Sequence, residues 1–219
     1  MIKMYGFWRS IASFRVRAAL NLKGLAYEEE MIDLLKGEQY APAYRAINSQ
    51  AALPTLIVDG GPPLTQSLAI IEYLEELHPN PPLLPPDALG RARVRSIALL
   101  LAADHHPLIV PRIRRHLAEV VGLDDDQVQA WIVHWFREAL VLAEARLAGD
   151  AATGEFCHGD APTLADLCLV GQAVVARGFR IDTAQFPTVH RITDACLALE
   201  AFARAQPLRQ PGAPATATH

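Results

Sequence analysis

The stretch Ala52-Leu53-Pro54-Thr55-Leu56-Ile57-Val58-Asp59-Gly60-Gly61-Pro62-Pro63-Leu64-Thr65-Gln66-Ser67 decides how the first part of this chain folds. Residues 55–58 read as a buried strand. Asp59-Gly60-Gly61-Pro62-Pro63 is a turn, because glycine and proline supply its special dihedrals. Leu64-Thr65 is too short to assign alone. Residues 67–77 then read as a strong amphipathic helix, with Ile70, Tyr73, Leu74 and Leu77 at i, i+3, i+4 and i+7. A proline inside a central strand would break it, so Pro54 marks the strand's start. It does so either as an ordinary strand-opening proline or as the rarer cis isomer. A cis turn would leave the N–H and C=O of Leu53 free to pair with an extended peptide ligand. Ser67 likewise has two readings. It caps the helix, or it joins Gln66 and the unpaired N–H groups of the helix start in binding a carboxylate.

Toward the N-terminus, residues 2–7 form a short apolar-aromatic strand. Residues 13–23 continue at helical period, with Val16, Ala19, Leu20 and Lys23 on one stripe and Gly24 as the stop. Residues 26–32 read as a second strand and 38–47 as a short helix. The junction Phe7-Trp8-Arg9-Ser10-Ile11-Ala12-Ser13-Phe14-Arg15 places hydroxyls at the positive end of the first helix. A hydroxyl there stabilises a thiolate by hydrogen bonding and by orienting it toward the helix dipole. Ser13 reads as the N-cap, and Ser10, three residues earlier, as the hydroxyl facing a ligand.

Beyond residue 77 the period switches. His78-Pro79-Asn80-Pro81-Pro82-Leu83-Leu84-Pro85-Pro86 is a stiff linker that cannot continue a helix. The remainder of the chain is helical: 90–121 with kinks expected at Pro107 and Pro111, then 124–147, 163–175 and 187–205. Thr163 and Asp166 stand as a capping pair at a helix start. The reading is an α/β unit over 1–80, a linker over 81–87, an all-helical unit over 88–206, and a disordered Pro/Ala/Thr tail over 207–219.

Composition limits the partners. The chain has 219 residues, 51% of them hydrophobic and 20% charged, which suits a globular protein rather than a disordered one. A net charge of −4 offers no basic excess for neutralising phosphates, so nucleic acid is not an expected partner. The longest apolar run, 96–103, stops at Asp104-His105-His106, short of the roughly 18–20 residues a membrane helix needs. Met1-Ile2-Lys3-Met4-Tyr5 lacks the apolar stretch of a signal peptide, so a cytoplasmic setting is expected. Cys157, Cys168 and Cys196 are too scattered for a disulfide framework or a zinc knuckle; Cys168 and Cys196 read as packed. His105 and His106 point to different helix faces, so no metal is expected.

Four segments carry a resemblance: Phe7 to Arg17, Ala19 to Gly24, Leu53 to Leu56, and Gln66 to Glu76. With Gly159-Asp160-Ala161-Pro162-Thr163-Leu164-Ala165-Asp166 they resemble the zeta class of the glutathione transferase superfamily over nearly the whole chain. The resemblance implies a thioredoxin-like first domain, an all-α second domain, and glutathione bound between them. It implies Ser10 as the thiolate-stabilising hydroxyl, and Leu53 at Pro54 as backbone partner of the glutathione cysteine. It implies Gln66 and Ser67 as the γ-glutamyl carboxylate site, and His106 at a family glutathione position that is Gln or His. The implied activity is glutathione-dependent cis–trans isomerisation of a small unsaturated diketo acid (maleylacetoacetate or maleylpyruvate) in aromatic-compound degradation. The implied assembly is a homodimer.

The sequence also departs from that pattern. Ile11-Ala12 stand where the family usually has Ser-Cys. Ile109, Val110 and Pro111 replace amides or a basic residue. The family arginine that grips a substrate carboxylate falls on Gly178, with Arg177 and Arg180 beside it as substitutes. Arg9, directly before Ser10, offers a second cation for a substrate carboxylate, which arginine can hold bidentately. This more apolar site keeps two alternatives open: a zeta-like transferase acting on haloacids or other electrophiles, and a catalytically silent binding protein.

Overall fold

In the computed structural model, which describes residues 1–214, the chain opens with β1 (Ile2–Gly6), α1 (Ile11–Leu22), β2 (Tyr27–Met31), α2 (Pro42–Ile47), β3 (Thr55–Val58), β4 (Leu64–Thr65) and α3 (Ser67–Leu77). β1 pairs parallel with β2 and antiparallel with β3, and β3 pairs antiparallel with β4. The order β2-β1-β3-β4 is the mixed sheet of a thioredoxin-like domain. Met4, Phe14, Val16, Leu20, Leu56, Ile70 and Leu74 fill its core.

Local chemistry sets the ends of these elements. α1 begins earlier than periodicity suggests, because Ser10 and not Ser13 is its N-cap. Ser13 lies inside the first turn, fully buried, and its Oγ accepts the Phe7 N–H at 3.3 Å. The far end closes as expected: the Leu25 N–H reaches the Leu20 carbonyl, with Gly24 at φ +64°. The segment expected as a helix over 38–47 splits at Ala41, because Pro42 takes the first position of α2. Leu64-Thr65, unassigned from sequence, gains strand geometry only by pairing with β3.

Residues 199–214 belong with Met1–Pro82 as one compact unit, and Leu83–Ala198 forms the other. This corrects the division at 88–206. The expected helix over 187–205 is broken by extended Leu199 into α8 (Pro187–Ala198) and α9 (Glu200–Ala205). α9 packs on α1: Phe202 meets Phe14 at a centroid distance of 6.4 Å, and Asn21 Nδ2 donates to the Ala201 carbonyl at 2.9 Å. Part of the tail expected to be disordered from 207 makes defined contacts. Pro207 is buried in a 3₁₀ turn, and Gln210 Nε2 donates to the carbonyls of Arg204 and Gln206. Residues 215–219 lie outside the described residues.

The proline-rich segment is anchored rather than loose. Lys23 Nζ, fully buried, binds Glu75 at 2.7 Å and the carbonyls of His78 and Pro81. Leu83 and Leu84 are buried, and the Leu83 carbonyl accepts the Leu164 N–H at 2.9 Å.

The second unit starts with α4 (Ala88–Leu99), which widens into a π-helical turn over Leu100–His105 and tightens into a 3₁₀ turn over His106–Ile109. Extended Val110 separates these from α5 (Pro111–His116), so the prolines foreseen as kinks fall in a tight turn and at a helix start. α6 (Asp125–Leu147) and α7 (Leu164–Arg177) precede α8. The capping box at Thr163 is present, and buried Asp166 accepts from the N–H groups of Cys157 and Thr163 and from the Thr163 hydroxyl. Arg93 ties α4 to the loop before α7 through Asp150, Thr153 and the Cys157 carbonyl. All three cysteines are buried, and burial pushes the thiols of Cys157 and Cys196 up. No helix among the described residues is long and apolar enough to cross a membrane.

Candidate active site

Strand register brings three of the sequence motifs to one edge of the sheet. Tyr5 pairs with Thr55 and Thr55 with Thr65, so these residues form a row across β1, β3 and β4. The Phe7–Ser10 turn lies beyond that row at the end of β1, Leu53-Pro54 precedes β3, and Gln66-Ser67 come directly after β4. All three overhang the same edge.

The Leu53 loop is held by a polar cluster. The Tyr44 hydroxyl and Asn48 Nδ2 both donate to the Ala52 carbonyl, at 2.6 and 2.9 Å. Asn48 also donates to Thr55 Oγ1, leaving the Thr55 proton for Tyr44. Tyr44 is itself buried, which raises its pKa. The Leu53–Pro54 bond is cis. Leu53 is half-buried, and its N–H and C=O make no backbone hydrogen bond among the described residues.

At the start of α1, Ser10 Oγ accepts the Ser13 N–H at 3.1 Å and is half-buried. The bond uses an oxygen lone pair and leaves the hydroxyl proton to donate elsewhere. Arg9 is half-buried too, and burial lowers its pKa. At the start of α3, Gln66 has φ +68°, a left-handed conformation uncommon outside glycine, and its side chain makes no capping bond. The first N–H groups of an eleven-residue helix therefore have no side-chain cap. Ser67 is 7% exposed, and its Oγ accepts from Arg15 Nη1 at 3.4 Å. Gln66 Nε2 donates to Gln50 Oε1 at 3.0 Å.

These features are able to receive a peptide backbone and an anionic group. A proton donor stands at a positive helix end, an unpaired backbone edge at Leu53, and an anion-accepting helix start at Gln66-Ser67.

The remaining residues singled out from the sequence lie in the helical unit. His106 is half-buried at the start of the 3₁₀ turn after α4. Arg177 is exposed and engaged: Nη2 reaches Asp194 at 3.5 Å and Nε donates to Thr183 Oγ1 at 3.3 Å. Arg180 is exposed with φ +60°. Ile109 is buried and Val110 half-buried. Sequence reasoning assigned no role to Gln50 or to the buried arginines Arg15 and Arg17. The usable signal was two arginines at i and i+2 within an otherwise apolar helix.

Residues 4–82 match the glutathione S-transferase N-terminal domain family. Maleylpyruvate isomerase of Ralstonia sp is 44% identical, over 96% of this chain and 99% of that one. The holo structure of a maleylpyruvate isomerase, described as a bacterial zeta-class glutathione transferase, is 43% identical with TM-score 0.93, over 97% of this chain and 100% of that one. The chain belongs to the zeta class of the glutathione transferases. Within that class, maleylacetoacetate isomerase of Methylobacterium extorquens AM1, solved with malonate and glutathione, is 54% identical with TM-score 0.95, covering 97% of this chain and 100% of its own.

Proposed function

We propose that this zeta-class transferase is a glutathione-dependent cis–trans isomerase of a small unsaturated diketo acid, maleylpyruvate or maleylacetoacetate. The observation that carries the reading is the Ser10 hydroxyl, which accepts from the first turn of α1 and keeps its own proton for a ligand. When bound, glutathione supplies a sulfur nucleophile able to add reversibly to an activated cis double bond, so that rotation can occur before its release. Ser10 donates its proton to that sulfur and, with the positive end of α1, holds it as thiolate at neutral pH. Leu53 pairs its backbone with the peptide. Ser67 and Gln66, with the N–H groups of α3, take the γ-glutamyl carboxylate.

Arg9 is the proposed grip on a substrate carboxylate. Of the two arginines flanking Gly178, Arg180 is the better candidate, because Arg177 already faces Asp194 and Thr183. The dicarboxylate malonate found with glutathione in the Methylobacterium extorquens relative supports an acidic substrate. The reading includes a homodimer in the cytoplasm; exposed Leu77, Leu89 and Leu99 supply apolar surface for a second copy.

The test is direct assay of maleylpyruvate and maleylacetoacetate with and without glutathione. Isomerisation of either that requires glutathione is expected, and turnover without it would overturn the reading. The bare Gly178 favours a second reading, transfer of glutathione to chlorinated acids; turnover of those acids alone would select it.

A further inference from the structure

The turn that carries Ser10 is fixed from behind by a buried ion pair. Arg17 Nε and Nη2 fork onto Glu29 of β2, with contacts of 3.1, 2.8 and 2.6 Å, and neither side chain is more than 9% exposed. Arg17 Nη2 also donates to the Phe7 carbonyl at 2.9 Å. That same carbonyl accepts the Ser10 N–H at 3.0 Å, while the Phe7 N–H is held by Ser13 Oγ and the Ser13 N–H by Ser10 Oγ. A closed ring of hydrogen bonds thus runs Phe7–Ser10–Ser13–Phe7, and Arg17 tethers it to a charged group through the Phe7 carbonyl.

Two further observations give the pair a purpose beyond stability. Arg17 Nη1 is buried with no hydrogen-bond partner among the described residues, so the guanidinium carries an uncompensated desolvation cost. Buried pairs of this kind are often replaced by apolar residues without loss of stability. The backbone also makes room for the carboxylate: a Cβ on Gly6 would stand 2.0 Å from Glu29 Oε1. A β1 residue without a side chain lets the carboxylate reach the guanidinium.

We propose that Arg17 and Glu29 are positioning residues which, through the Phe7 carbonyl, set the orientation of the Ser10 hydroxyl and so its hold on a bound thiolate. This rests on the functional reading above.

The experiment uses the full chain with Glu29→Gln, Gly6→Ala, Ser10→Ala and the Ser10→Ala/Glu29→Gln double variant. Two readouts are taken: hydrogen exchange of the Ser10 and Ser13 amides without ligand, and thiolate ultraviolet absorbance of the glutathione complex across pH. In Glu29→Gln both amides should exchange faster. The midpoint should move up by about one pH unit, the scale of one charge-assisted hydrogen bond, so that the thiolate fraction at neutral pH falls severalfold. Glutathione affinity measured below the midpoint, where the neutral thiol binds, should stay within about twofold, because the Leu53 and Ser67 contacts are intact. The double variant should be no worse than Ser10→Ala, since both changes act through one hydroxyl. Should Glu29→Gln fail to fold, Gly6→Ala, which displaces the carboxylate without removing charge, decides by the same readouts. An unmoved midpoint in the folded variant, or additive losses in the double variant, overturns the inference alone. An unmoved midpoint in Ser10→Ala overturns the functional reading with it.

Discussion

Replacing Ser10 separates the two tasks its oxygen and proton perform. Ser10→Ala removes the acceptor for the Ser13 N–H, a bond of 3.1 Å at a helix N-cap. That loss costs about 1 kcal/mol of stability. It also removes the donor to the thiolate, a charge-assisted bond worth about 1.5–3 kcal/mol. At about 1.36 kcal/mol per pKa unit, the bound thiol should then titrate about one to two units higher, and turnover at neutral pH should fall with the thiolate fraction, roughly three- to fiftyfold. Ser10→Asp splits the effects. Its carboxylate still caps α1 and suits the helix dipole, so the protein should melt at or above the wild-type temperature. It has no proton to give and repels a thiolate, so thiolate formation should be poorer than in Ser10→Ala. Stopped-flow titration of the glutathione complex and thermal unfolding measure the two quantities independently. A Ser10→Asp protein with wild-type thiolate titration would refute the role given to this hydroxyl, whatever its stability.

Other consequences are open to measurement. Phe202→Ala deletes a fully buried ring packed on Phe14 and should cost about 3–5 kcal/mol in urea unfolding; a loss below about 1 kcal/mol would mean α9 is not part of the first unit's core. Lys23→Met strands the largely buried Glu75 and should cost about 3–5 kcal/mol, much of it recovered in Lys23→Met/Glu75→Leu; no recovery would show that the two carbonyl contacts carry the site. Asp150 is held below its ordinary value of 3.8, first by the Ala152 N–H and then by Arg93. A depressed folded pKa adds stability above the unfolded value and loses it as pH falls through the folded one. Asp150→Asn should therefore lower the melting temperature at neutral pH, with the gap closing below pH 3.8, and a gap that persisted in acid would contradict this.

The first unit was legible where pattern and local chemistry agree. Ile70 and Leu74 of the α3 stripe are buried and the Gly24 stop closes α1, both set by neighbours a few residues away, as is the Thr163/Asp166 pair of the helical unit; Leu77, the last member of the stripe, is exposed. Failures came where partners are distant. Either serine could cap α1 by spacing, and the choice was settled by the Phe7 N–H, which claims Ser13 Oγ. Leu199 gives no breaking signal, so the period ran through it, and only contact with Phe14 and Asn21 shows where Phe202 and Ala201 belong. The site motifs were found by resemblance, and register explains why they share an edge. Arg17 and Glu29 are not legible from sequence, because a charge reads as surface until its partner on a distant element, here α1 against β2, is known.

The return of the chain to its starting point has a consequence for synthesis. The thioredoxin-like unit is interrupted in sequence by all of Leu83–Ala198, and its last core element is α9. During translation the sheet and first three helices leave the ribosome before Phe202, so the face of Phe14 that packs on Phe202 stays open until α9 emerges. The nascent first unit must therefore wait, with an apolar face open, while the entire helical unit is made. Stop codons or proteolytic clips just after Leu199, far in sequence from Ser10, strike the unit that carries Ser10 rather than the helices directly before them.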